Sequence, residues 1–141
     1  IEGYFALYPG VKRYMEESVE KARKKGYVET IMGRRRYLRD INSRNAVVRG
    51  VAERNAVNAP IQGSAADIIK KAMICIHQKL KERGLRSKMI LQVHDELLPE
   101  CPPEEVEKAG KLLKDAMEHV IELRVPLLAE VHQGTNWAEA K

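Results

Sequence analysis

Apolar residues recur along the chain with two periods, one typical of helices and one typical of strands. After Pro9 they are spaced three or four positions apart, at Val11, Met15, Val19 and Ala22. Proline suits the first turn of a helix, and Gly26 suits the left-handed position that follows a last turn. The pattern predicts a helix that begins at Pro9, ends before Gly26 and buries one stripe.

Two further helices are predicted on either side of Pro60, because the residue before a proline avoids the α region. The first covers about 44–57, with Val47, Val48, Val51 and Ala52 directed inward and Gly50 as a weak point. The second runs from Pro60 to about Arg83, and Gly84 ends it. Its apolar face comprises Ile61, Ala65, Ile68, Ile69, Ala72, Met73, Ile76 and Leu80.

A fourth helix begins at residues 102–105, where two prolines precede two acids that favour the positive end of the helix dipole. Its predicted core face comprises Val106, Ala109, Leu113, Ala116, Met117 and Val120.

Alternating and short apolar runs predict the strands. Residues 27–39 contain YVETI and GRRRYL, which predict a basic β-hairpin. MILQV (89–93) predicts a buried strand, with LLPEC (97–101) as its partner, and VPLLAEVHQ (125–133) predicts a final strand. The expected fold class is α+β, with about four helices packed on a small, mainly antiparallel sheet, in one segment over residues 1–141.

Composition limits the class of protein. The 141 residues are 44% apolar and 32% charged, which is typical of a soluble domain, and no run approaches the roughly 18 apolar residues of a membrane span. The start has neither a signal-peptide pattern nor an initiator Met, so we expect a cytoplasmic segment of a longer product. Cys75 and Cys101 lie in no metal-binding spacing and are expected to be reduced thiols.

The positive charge is concentrated in the first part of the chain. Residues 1–54 contain 13 Lys and Arg against 7 Asp and Glu, whereas the remainder is nearly neutral. Residues 33–54 carry seven arginines and no lysine: Arg34, Arg35, Arg36, Arg39, Arg44, Arg49 and Arg54. Because a guanidinium binds phosphate oxygens in a bidentate manner, this choice favours nucleic acid as a partner. A solvated basic face is the alternative.

Two groups of polar residues are candidates for chemistry. His94, Asp95 and Glu96 lie between the predicted strands 89–93 and 97–101, without a Gly or Asn to form the turn. A polar turn is one interpretation. The other is a magnesium site, because adjacent carboxylates repel unless a cation neutralises them and Mg²⁺ prefers carboxylate and phosphate oxygens. A third carboxylate is expected for two-metal chemistry, and no residue of the chain is a good candidate for it.

The second group lies in ERNAVNAPIQGSAAD (53–67). Arg54 and Asn58 share a helix face, Gln62 follows the Pro60 break, and Gly63 permits close approach of a partner to the backbone. Arg, Asn and Gln are the side chains that contact base edges and sugars. They can equally pin a helix–helix junction, and spacing alone does not decide between the two.

These motifs, with ETIMGRRRYLRDINSRN and LQVHDEL, resemble in order and spacing the C-terminal part of bacterial family A DNA polymerases, over nearly the whole chain. The resemblance implies the palm and adjoining fingers helices of a right-hand polymerase, with catalytic carboxylates at Asp95, the metal ligand, and at Glu96, its neighbour. It implies DNA contacts from Arg36, Arg54, Asn58, Gln62, Gln92 and His94, with His94 near the primer terminus and Gln62 on the minor-groove side.

The implied reaction is template-directed addition of deoxynucleotides to a primer 3′-end, with two Mg²⁺ ions and primer–template DNA as partner. The family's first metal-binding motif and its nucleotide-binding fingers helix are absent and would precede Ile1. Deoxynucleoside triphosphates are therefore expected to bind through the remainder of the polymerase chain. Pro99 departs from the family pattern and predicts an irregular far end of the hairpin. The alternative is a DNA-binding fragment without activity of its own, and a two-metal nuclease is disfavoured because no further acid cluster exists.

Overall fold

The computed structural model describes residues 1–140 and divides into two compact units, Ile1–Ala65 and a second that begins at Ala66. The described residues contain four α-helices, one turn of 3₁₀ helix and two separate two-stranded antiparallel sheets. The predicted α+β class is confirmed. The strands form two independent hairpins rather than one sheet.

The first unit begins with two helices, α1 (Glu2–Leu7), which was not predicted, and α2 (Pro9–Lys25). The bounds of α2 agree with the sequence, and Gly26 has the expected left-handed conformation at φ 81°. The buried stripe was only half right. Ala22 is fully buried, but Val11 and Met15 are exposed because the core lies against the C-terminal half of α2 alone.

The predicted basic hairpin is confirmed as β1 (Tyr27–Glu29) and β2 (Arg35–Tyr37), paired with Val28 opposite Arg36. Its inner face contributes to the first core. That core comprises Ala22, Val28, Leu38, Ile41, Ala52, Ala56 and Ala59, so the hairpin and the next helix pack through small and branched side chains.

The predicted break at Pro60 is wrong, because one helix, α3, runs from Ala46 to Glu82. Asn45 caps its start, since its side-chain oxygen accepts from the Val47 amide at 3.0 Å. Pro60 removes the bond to the Ala56 carbonyl and costs about 3 kcal/mol. The helix continues because Ala56 is fully buried in the first core and the Tyr14 hydroxyl donates to the Val57 carbonyl at 3.1 Å, beside the lost bond.

The inward face predicted for the start of this helix was also wrong. Val47, Val48 and Val51 are exposed, and Ala52 alone of that set is buried. Small alanines pack closely against the hairpin, so the face that meets the core is turned toward Ala52 and Ala56.

The second unit contains β3 (Lys88–Val93), β4 (Glu96–Glu100), a 3₁₀ turn (Pro103–Glu105) and α4 (Val106–Glu118). Its core comprises Ile76, Leu80, Leu112, Leu113 and Ala116, with Met89 and Leu97 of the hairpin packed against it. The strands are less buried than predicted, because Ile90 and Leu91 face outward. The register shifts between Met89 and Leu91, opposite Pro99, which confirms the predicted irregularity.

The predicted strand 125–133 is absent from the described residues. The Ala129 amide instead donates to the Glu118 carboxylate at 2.9 Å, which ties this segment to α4. Val125 and Leu128 remain exposed. An alternating pattern forms a strand only where a partner strand accepts its backbone hydrogen bonds, and this segment has no such partner within residues 1–140. Within residues 1–140, no helix is long and apolar enough to cross a membrane.

Candidate functional site

The tip of the β3–β4 hairpin holds the predicted acids. Val93 pairs with Glu96, so His94 and Asp95 form a two-residue loop between the strands. Met89 and Leu97 anchor the hairpin in the second core, whereas His94, Asp95 and Glu96 are exposed. The arrangement presents two carboxylates to solvent on a base of paired strands.

The loop has an unusual backbone conformation at His94, where φ is 52°. It is the only non-glycine residue with positive φ among the residues that the structure describes. Two-residue hairpin loops favour such a conformation, but a residue other than glycine adopts it at a cost of roughly 1–3 kcal/mol. The histidine thus takes the place of the missing glycine, and the Gln92 side-chain amide donates to its carbonyl at 3.1 Å.

The donor chemistry at the tip fits a hard cation in kind, because Asp95 and Glu96 offer carboxylate oxygens. It does not complete a site. Residues 1–140 contain no group of three or more side chains of His, Cys, Asp or Glu placed to hold a metal ion. Any Mg²⁺ bound at this tip therefore requires ligands beyond those two carboxylates, from water, phosphate or other protein residues.

The second predicted group forms a row on α3. Arg54, Asn58 and Gln62 are four residues apart on one continuous helix, and all three are exposed. Four residues advance a helix by about 6 Å and return nearly to the same side, so the three side chains line one face. The buried Ala56 and Ala59 lie on the other side. Continuity through Pro60 is what brings Gln62 into line.

An open groove of about 410 Å³ adjoins this row in the first unit. Arg54 and Asn58 form part of its wall, with Met15, Val19 and Val57 as apolar lining. The groove explains why Met15 is accessible, and it leaves one flank of the row open to solvent.

The seven arginines of residues 33–54 fall into two classes. The side chains of three arginines make contacts within the fold. Arg34 donates to the Gly63 carbonyl at 3.4 Å, and Arg49 donates to the Ser43 carbonyl at 3.1 Å. Arg35 stacks on Tyr27 at 4.3 Å, and its hydrogen bond with Tyr37 raises the pKa of the guanidinium above its usual value.

The other four arginines are exposed, and their side chains make no hydrogen bond or ion pair within residues 1–140: Arg36, Arg39, Arg44 and Arg54. Their guanidinium groups are available to an outside anion. Arg36 and Arg54, both predicted from the sequence, belong to this class. Because three arginines are occupied, local charge alone overstates how many can bind a polyanion.

Gly63 was predicted to let a partner approach the backbone closely, and that prediction needs a correction. The group that approaches Gly63 belongs to the same chain. A Cβ atom at Gly63 would lie 2.6 Å from the Thr30 methyl carbon, in the turn of the first hairpin. The neighbouring Ser64 hydroxyl accepts from the Ile31 amide at 2.8 Å. Gly63 thus lets the hairpin turn seat on α3.

Sequence reasoning missed the role of Glu105. This buried side chain accepts from the amides of Arg86 and Ser87 at 2.9 to 3.0 Å and from the Ser87 hydroxyl at 2.8 Å. The Arg86 amide, more than the other donors, holds the pKa of Glu105 below its usual range. The sequence gives no signal for this role of Glu105. An acid after two prolines is also what the start of a helix favours, so the residue reads as an ordinary part of the first turn.

The site residues are therefore brought together in two groups. Arg36, Arg54, Asn58 and Gln62 belong to the first unit, and residues 92–96 belong to the second. Each group is internally ordered, by the row on α3 and by the two-residue loop.

Comparison with known proteins identifies close relatives. The chain matches DNA polymerase family A over residues 1–139. It is 57% identical to DNA polymerase I of Bacillus caldotenax and 53% identical to that of Bacillus subtilis, each over all 141 residues. The chain spans only 16% of the length of either relative.

Among solved structures, the chain matches the POL domain of Pol1 from M. smegmatis in complex with DNA primer–template and dNTP. The TM-score is 0.96 at 50% identity, and the match covers 99% of this chain and 24% of the other.

Proposed function

Because this chain belongs to DNA polymerase family A, we propose that it is the C-terminal part of a larger enzyme that extends a primer on a DNA template. Residues 1–141 would form one segment of that enzyme, comprising part of the palm and the adjoining fingers helices. The observation that carries the proposal is the exposed pair Asp95 and Glu96 on a hairpin anchored in the second core.

The hairpin tip supplies the catalytic carboxylates. Asp95 would be the direct ligand of Mg²⁺, and Glu96 would tune the same position without being the main ligand. Mg²⁺ held there would supply the Lewis-acid chemistry that activates a primer 3′-hydroxyl and stabilises negative charge on the phosphate. The contribution of this chain is to hold the carboxylate oxygens at a fixed point, and His94 would lie beside the primer terminus.

The first unit would bind the primer–template duplex. Arg36 and Arg54 are exposed and unpaired within the described residues, so their guanidinium groups can neutralise phosphates. Asn58 and Gln62 continue the row from Arg54, and Gln62 would donate to the minor-groove acceptors. Because these acceptors are common to all correct base pairs, such contacts test pair geometry without reading sequence.

The isolated chain supports a second, narrower function. Its described residues lack a complete set of metal ligands, and residues for the triphosphate would come from the rest of the polymerase. We therefore expect the 141-residue chain alone to bind DNA without extending it. Since the relatives are bacterial DNA polymerase I proteins, we propose that the whole protein acts in a bacterial cytosol or nucleoid.

A primer-extension assay tests both functions. The complete polymerase that carries this chain is expected to extend a primer in Mg²⁺, and its Asp95→Ala variant to bind the same DNA without extending it. The isolated chain is expected to bind primer–template weakly and with a steep salt dependence. Normal extension by Asp95→Ala would contradict the enzymatic proposal, and template-dependent extension by the pure isolated chain would contradict the account of what it lacks.

A further inference from the structure

The turn that carries Asp95 is strained at the residue before it. A two-residue hairpin loop favours a left-handed residue, and Gly, Asn or Asp usually occupies that position. Here His94 occupies it at φ 52°, although its Cβ atom disfavours the conformation. Such a loop needs an additional interaction to keep one conformation.

Gln92 supplies that interaction. Its side-chain Nε2 donates to the His94 carbonyl at 3.1 Å, and within residues 1–140 no other side-chain hydrogen bond reaches residues 93–96. The bond acts on the peptide group that joins His94 to Asp95. Fixing that group fixes the direction in which Asp95 leaves the loop, while the Val93–Glu96 pair holds the loop from below.

We propose that Gln92 is a positioning residue that braces the His94 turn and thereby orients the Asp95 carboxylate. The inference rests on the proposed function and replaces the DNA contact that the sequence predicted for Gln92. Since its side-chain amide bonds to the turn, Gln92 affects the reaction through Asp95 rather than through the duplex. Loss of a DNA contact would weaken the Kd for primer–template DNA, whereas loss of a brace would change hydrogen exchange at the tip and the Mg²⁺ dependence of extension.

The test compares Gln92→Ala with the unchanged complete polymerase, and Gln78→Ala serves as a control because Gln78 is an exposed glutamine on α3. Three quantities are measured: hydrogen exchange of the peptide covering residues 92–97, the Kd for primer–template DNA, and the Mg²⁺ concentration for half-maximal single-turnover extension. Gln92→Ala is expected to speed exchange at the tip and to raise the Mg²⁺ midpoint about fivefold, as the loss of one ordinary hydrogen bond would. The Kd is expected to stay unchanged.

Relief of the strain provides a second arm. His94→Gly removes the Cβ atom, so adding Gln92→Ala to His94→Gly should change the Mg²⁺ midpoint less than Gln92→Ala does alone. A weaker Kd with unchanged exchange and midpoint would return Gln92 to a DNA contact. Unchanged values of all three, or equal effects of Gln92→Ala in both backgrounds, would also overturn the brace.

The exchange measurement needs no activity, so it separates this inference from the proposed function. If Asp95→Ala extends normally while Gln92→Ala still speeds exchange at the tip, the proposed function fails and the brace on the turn stands. If Asp95→Ala is inactive and Gln92→Ala changes neither exchange nor the Mg²⁺ midpoint, the inference alone fails.

Discussion

Glu105 and Ser87 are joined twice, because one carboxylate oxygen accepts from both the amide and the hydroxyl of Ser87. The pair ties the start of β3 to the turn that precedes α4. Since β3 is the first strand of the hairpin that presents Asp95, this buried contact holds the base from which the Asp95 loop projects. Its effect on the site is indirect, through the stability of the second unit.

We predict that Glu105→Gln lowers the melting temperature of the complete polymerase at pH 7 by several degrees, because an amide cannot accept all of these hydrogen bonds. The folded state lowers the pKa of Glu105, so its contribution to stability is present above the ordinary pKa of 4.5 and is lost as the pH falls. The difference in melting temperature between wild type and variant should therefore shrink below about pH 4.5. Glu107→Gln, an exposed acid on α4, is the control. An equal difference at pH 7 and pH 4 would contradict the assigned role of the charge.

The two acids at the hairpin tip should differ in effect. Asp95→Ala is expected to reduce extension by orders of magnitude, whereas Glu96→Ala should reduce it about 10- to 100-fold, as residues beside a metal ligand do. Duplex affinity should remain close to wild type in both. Glu100→Ala, at the other end of β4, is the control for loss of an exposed acid. Small and equal losses at Asp95 and Glu96 would refute the assignment, and single-turnover rates with measured Kd values decide it.

The row on α3 should separate charge from base-pair sensing. Gln62→Ala is expected to slow extension and to change the ratio of matched to mismatched primer extension, while the salt slope of DNA binding stays the same. Arg54→Ala should lower that slope by about one, because one phosphate contact is lost. A lower melting temperature with unaltered extension of both primers would instead make Gln62 a structural residue of the helix.

Gly63 and Thr30 offer a test of packing by paired substitutions. Gly63→Ala gains up to about 1 kcal/mol of helix propensity but forces its Cβ against the Thr30 methyl, which typically costs about 1–3 kcal/mol. The single variant should therefore lose stability. Thr30→Ser removes the methyl and keeps the hydroxyl, so Gly63→Ala in that background should be neutral or stabilising. Thermal unfolding of the four proteins measures the coupling, and equal effects of Gly63→Ala in both backgrounds would contradict the contact.

Local sequence signals determined much of this chain. Pro9 and Gly26 bound α2 in the sequence and in the structure, since both residues act through their own backbone dihedrals. The alternating run in residues 27–39 and the short apolar runs in residues 89–101 also predicted two hairpins, since strand patterns depend on neighbouring residues along the chain. The motifs that carry the family resemblance were also legible, because they depend on residue identity and spacing.

Tertiary packing decided the rest. Pro60 disfavours a helix locally, yet α3 continues because the first core buries Ala56 and Tyr14 bonds to the Val57 carbonyl, and this continuity places Gln62 in line with Arg54. The segment 125–133 has strand propensity but no partner strand to accept its hydrogen bonds in the described structure. Local propensities differ by only about 1 kcal/mol per residue, so long-range contacts that contribute more decide the structure. Those contacts cannot be inferred from spacing along the chain.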